Sequence, residues 1–161
     1  MDEFMDAISG FRAIEGRLIG SWDVMFQEYC KFYEENGHGD VPKTREYKKL
    51  NNWCKHQRQN FSNGILSDIR IDKLNKKKFI WNIYQFNFDN NFKALKQYKE
   101  REGDCLVPYN HIEVVCEKEI NLGHWCQNLR ASNHVLAHEK REQLEQLDFI
   151  WDTEKYKFEK K

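Results

Sequence analysis

Apolar residues recur along this chain at helical spacing rather than in alternation. Trp22, Phe26, Tyr29 and Tyr33 fall on one helix face, as do Phe88, Phe92, Leu95 and Tyr98 further on. Leu50, Trp53, Cys54 and Gln57 line a second helix, matched later by Leu122, Trp125, Cys126 and Leu129. A third helix is predicted through Leu74, capped by Ser67-Asp68 and ending in the run Lys78-Phe79-Ile80-Trp81. Gly37 and Gly103 stand where a left-handed helix stop is wanted, and Val-Pro at 41–42 and 107–108 carries the chain onward extended. Asn63-Gly64 turns it. Phe4, Ile8, Phe11, Ile14 and Leu18 form a further stripe, predicting an amphipathic helix over 2–19 that docks on the first repeat or on a partner.

The pattern is written twice. Residues 22–42 align with 88–108 at an offset of 66, 50–58 with 122–130 at 72, and 65–81 with 135–151 at 70. The second copy gains six residues after its proline and later drops two, so the length changes fall in connections. A tandem duplication of a unit of about 65 residues follows. The expected fold is all-α, with two tandem three-helix units preceded by an N-terminal amphipathic helix. By residue, 1–20 is the N-terminal helix and linker, 21–84 the first repeat, 85–152 the second, and 153–161 a charged C-terminal tail. The aromatics read as core, because units this small need them to stay folded. In "NGHGDVP" (36–42), Gly37, Val41 and Pro42 recur, whereas His38 and Gly39 become Asp104 and Cys105, so the stretch reads as a corner.

Composition narrows the classes. No apolar run approaches the roughly 18–20 residues that span a bilayer, and the acidic start lacks the order of a secretory signal. A cytoplasmic protein without membrane contact is expected. Five cysteines with no CxxC pair read as reduced thiols. Cys105, Cys116, His124 and Cys126 lack a zinc spacing, so no metal or other cofactor is expected. His38 beside Asp40, and His134 near His138, are the only pairs worth testing for catalysis, and no enzyme activity is expected.

Charge changes the picture most. Lys and Arg total 26 against 26 Asp and Glu, but the balance is uneven. Residues 43–78 hold eleven basic side chains and three acidic ones, whereas 104–152 holds four against nine. The first repeat therefore has the footprint of a polyanion-binding surface. Lys48, Lys49, Lys55, Arg58 and Lys73 are the expected phosphate contacts, with Lys43, Arg45 and Arg70 on the same surface. His56 and Gln57 are candidates for bases or sugars, and Arg130 and Lys140 are weaker counterparts in the second repeat.

The ordered motifs resemble the helicase-associated domain family, short three-helix modules often found in tandem at the C-terminal side of bacterial DEAD/DEAH-type helicases. The first repeat supplies Trp22, Gly37, Val41-Pro42, Leu50, Trp53, Gln57-Arg58, Leu66, Arg70, Leu74 and Phe79-x-Trp81. The second supplies Gly103, Val107-Pro108, Leu122-Gly123-x-Trp125, Arg130, Leu136, Lys140, Leu144 and Phe149-x-Trp151. Leu129 departs from the usual glutamine, Lys78 and Asp148 from a glycine before the closing Phe-x-Trp, and Asn51 from the glycine of Leu-Gly. "FRAIEGRL" (11–18) is loosely similar to the segment that joins a helicase motor to such modules.

The resemblance implies a non-catalytic nucleic-acid-binding accessory module, acting with a helicase motor or derived from one, with DNA ahead of RNA. No GxxxxGK[ST] phosphate loop is present, so an ATPase would reside in another protein or a longer parent chain. The alternative is a protein-interaction module that uses the acidic second repeat and the N-terminal helix, self-association included.

Overall fold

The computed structural model describes residues 20–160; the stripe read as a helix over 2–19 lies outside them. The described chain is all-α apart from one short hairpin, and it divides into two units between Asn82 and Ile83. The first unit holds α1 (Ser21–Asn36), α2 (Lys48–Ser62) and α3 (Asp68–Lys76). The second holds α4 (Ile83–Glu102), β1 (Glu113–Val115), β2 (Lys118–Ile120), α5 (Leu122–Ala131), a 3-10 turn at Asn133–Val135, α6 (His138–Gln146) and α7 (Thr153–Glu159).

Gly37 and Gly103 stop α1 and α4 in the left-handed region, at φ of 73° and 88°. Their N–H groups donate to the carbonyls of Tyr33 and Lys99, each at 2.8 Å. Past these corners Val41 and Val107 turn inward. Tyr29, Phe32, Leu50, Cys54, Leu74 and Phe79 fill the first core, and Leu95, Tyr98, Leu122, Cys126, Leu144 and Phe149 the second.

Three expectations change in detail. Ser67 sits at the start of α3 with extended backbone, but its side chain makes no capping hydrogen bond. α3 ends at Lys76 rather than running into 78–81, because Lys78 turns left-handed at φ 50°, as Asp148 does at 55°. The family's glycine belongs at that position for this reason. The stretch read as a tail, 153–161, is helical over Thr153–Glu159. Asp152 caps it by accepting from the N–H of Glu154 and Lys155, and the Tyr156 hydroxyl donates to Asp104 at 3.2 Å.

The inserted residues of the second repeat build the β1–β2 hairpin, pairing Glu113 with Ile120 and Val115 with Lys118. Its turn residues Cys116 and Glu117 both have positive φ, without the Asn-Gly or Asp-Gly that usually announces such a turn. The Glu113 carboxylate is buried at 3% exposure. It accepts two hydrogen bonds from Arg101, at 2.8 and 2.9 Å, and lies 2.7 Å from Nε2 of His111.

Candidate nucleic-acid interface

No carboxylate lies between Glu46 and Asp68, so α2 carries its cations with none of the opposite charge on the same helix. Leu50, Cys54 and Gln57 face the core, which fixes the outward face of α2 as Lys48, Lys49, Asn52, Lys55, His56 and Gln59. All six are exposed, as are Lys43 in the extended lead-in and Arg45 in the turn before the helix. Among the described residues none of Lys43, Arg45, Lys48, Lys49 and Lys55 is held in an ion pair. Lys48 and Lys49 occupy the first helical turn, where the helix dipole is positive and lysine is disfavoured by roughly 0.3–1 kcal/mol. These lysines therefore do not serve the stability of their own helix.

The structure assigns other residues of the expected set to packing. Gln57 is 3% exposed, and its Oε1 accepts from Trp22 Nε1 at 2.8 Å; the expected base contact is a core residue. Arg58 is half-buried over the Phe79 ring, and its Nε donates to the Ile80 carbonyl at 2.6 Å. Arg130 repeats this arrangement over Phe149, donating to Ile150 at 2.8 Å. Burial holds its pKa below the ordinary arginine value and leaves Nη2 without a partner. Both arginines fasten the second helix of their unit to its closing Phe-Ile-Trp segment. Arg58 reads as a phosphate contact because a charged side chain in a basic run looks the same in sequence whether it points in or out, and Arg130 follows it as the counterpart in the second repeat.

Arg70 and Lys140 also correspond. Arg70 lies over the Trp22 ring at 4.9 Å and Lys140 over Phe88 at 4.8 Å. Lys73 covers Trp22 as well and pairs with Asp23 at 3.0 Å. The face that remains is Lys43, Arg45, Lys48, Lys49, Lys55 and His56. Asn52 and Gln59, which no motif singles out, join them by helical spacing from Lys48 and Lys55.

The other chemistry considered is local. His38 Nδ1 accepts from the Asp40 N–H at 3.3 Å, and its ring packs edge-on against Phe32. His138 lies 3.2 Å from Glu142 on the same exposed helix. Burial pushes the thiols of Cys54 and Cys126 up to about 12 and that of Cys105 to about 11, which keeps them protonated at neutral pH. Among the described residues no three His, Cys, Asp or Glu side chains converge as a metal site, and no helix is long and apolar enough to cross a membrane.

Two tandem segments of the chain, residues 20–82 and 85–152, match the family model described as the helicase associated domain. Neither a curated protein nor a solved structure matches the chain.

Proposed function

We propose, for a chain that belongs to the helicase associated domain family, a non-catalytic accessory role in which its first unit binds the phosphate backbone of nucleic acid. The contacts are Lys43, Arg45, Lys48, Lys49 and Lys55, with Asn52, His56 and Gln59 supplying neutral hydrogen bonds to sugars and phosphates. The observation that carries this reading is the exposed face of α2 and its lead-in, where cations stand unpaired and no carboxylate intrudes from the helix itself. Lysine ammonium groups neutralise phosphates as point charges and release the counterions condensed on them, giving affinity without sequence preference. The unpaired N–H groups at the start of α2 add to the attraction for an anion. Ion-paired Lys73 contributes less. The motor that such a module would accompany supplies any ATP hydrolysis.

Fluorescence anisotropy titrations with single-stranded DNA, duplex DNA and RNA test the proposal. Lys48→Glu with Lys49→Glu reverses two charges on this face and should weaken binding to the preferred probe by more than tenfold. Equal affinity of the double variant and the parent would refute it.

A further inference from the structure

Where the first unit carries its cations, the second carries no charge. The offset of 72 puts Asn121, His124, Gln127, Asn128 and Ala131 at the positions of Lys49, Asn52, Lys55, His56 and Gln59. All five are exposed, and the burial of Leu122, Cys126 and Leu129 on the opposite side of α5 holds them outward. The second unit is acidic, yet no carboxylate falls between Glu119 and Glu139. This gap matches the one between Glu46 and Asp68 in the first unit. Both repeats thus keep negative charge off the same helix, although only one places positive charge there.

Four of these five side chains are hydrogen-bonding groups, and Asn121, His124 and Asn128 among them are held by hydrogen bonds. Asn121 Oδ1 accepts from the His124 N–H at 3.3 Å, and the Asn128 amide lies 3.2 Å from His124 Nδ1. Beside them stands Tyr109, 57% exposed, with its ring centroid 6.0 Å from that of His124. Gly123 makes this neighbour possible. A Cβ at that position would lie 2.1 Å from the Pro108 carbonyl oxygen and 2.2 Å from that of Tyr109, so the loop reaches the helix only over a glycine. In the first unit Asn51 takes the place of Gly123, and its side chain donates to the Val41 carbonyl at 2.6 Å.

We propose that this uncharged face contacts the bases of the nucleic acid, an inference that rests on the phosphate-binding reading of the first unit. The carboxamides of Gln127 and Asn128 offer a donor and an acceptor side by side, the geometry that pairs with a base edge. The Tyr109 ring offers a flat surface on which a base stacks. A neutral face gives little affinity for a polyanion, and the lysine face gives no base preference. The two repeats divide these tasks: the first holds the strand and the second discriminates among bases.

Selection from random-sequence pools, single-stranded and duplex, tests the division with the whole chain. The parent protein should enrich a base preference. His124→Ala with Gln127→Ala and Asn128→Ala should lose that preference while keeping pool affinity within about twofold and an unchanged thermal midpoint. Asn121 is left intact because it caps α5. A single Tyr109→Ala should reduce the discrimination in the same direction. Salt-dependent binding by the parent with no enriched preference, or the same preference in the triple variant, overturns this inference and leaves the phosphate reading standing. Absence of binding to either pool overturns both.

Discussion

The indole Nε1 of Trp22 donates a 2.8 Å hydrogen bond to Oε1 of Gln57, and the second unit replaces both partners together with Phe88 and Leu129. Each unit is self-consistent: one satisfies a buried polar pair, and the other removes it. Gln57→Leu alone should therefore cost about 1–3 kcal/mol, since it strands the indole N–H. Adding Trp22→Phe should recover most of that loss, because no donor then remains unsatisfied. A double-mutant cycle by urea denaturation reads the coupling.

A second exchange of the same kind links Tyr29 and Gly39. A Cβ on Gly39 would lie 2.1 Å from the Tyr29 hydroxyl, and Tyr29 is fully buried and cannot swing aside. The second unit has Leu95 and Cys105 in these places, the shorter side chain leaving room for the thiol. Gly39→Ala should cost about 1–3 kcal/mol in the parent and much less with Tyr29→Leu. The Tyr29 hydroxyl has no hydrogen-bond partner, so Tyr29→Phe should be neutral or stabilising in the same assay.

Lys48 and Lys49 oppose the dipole of their own helix. Glu at both positions should raise the thermal midpoint by the equivalent of about 0.3–1 kcal/mol per residue while nucleic-acid binding falls. A fall in both stability and binding would mean that these lysines support the fold instead.

The buried Glu113 predicts a pH dependence. Hydrogen bonds from Arg101, and secondarily from His111 and Gln97, hold its pKa at about 2, below the ordinary value of 4.5. A carboxylate lowered on folding contributes stability that is complete above 4.5 and is lost as pH falls toward 2. The contribution is at most about 3 kcal/mol, and the half-exposed Arg101 side chain lets solvent screen part of it. Glu113→Gln should be less stable at neutral pH and should show a flatter loss of stability across that acid range, followed by urea midpoints at stepped pH.

The three helices of each repeat, the duplication and the glycine corners were legible because helical periodicity and left-handed stops leave local signatures. The hairpin was not, since Cys116 and Glu117 adopt positive φ without the residues that advertise it. Nor does sequence separate Arg58 from the basic surface. Spacing puts Gln57 on the inward face with Leu50 and Cys54, but no local signal names its partner, Trp22, 35 residues away. Arg58 recurs as Arg130 with the same backbone carbonyl partner in each repeat, a role that a basic run does not announce. The exposure of Lys48, Lys49 and Lys55 was legible because nothing in the core could hold them.

If the outward face of α2 neutralises phosphates, binding must weaken with salt. Affinity for duplex DNA should fall linearly on a log–log plot against salt. Replacing Lys48 and Lys49 by Ala should flatten that slope by roughly one to two units, close to 0.9 per lost phosphate contact. An affinity indifferent to salt, or a slope unchanged by the two substitutions, would mean that this face does not neutralise phosphates.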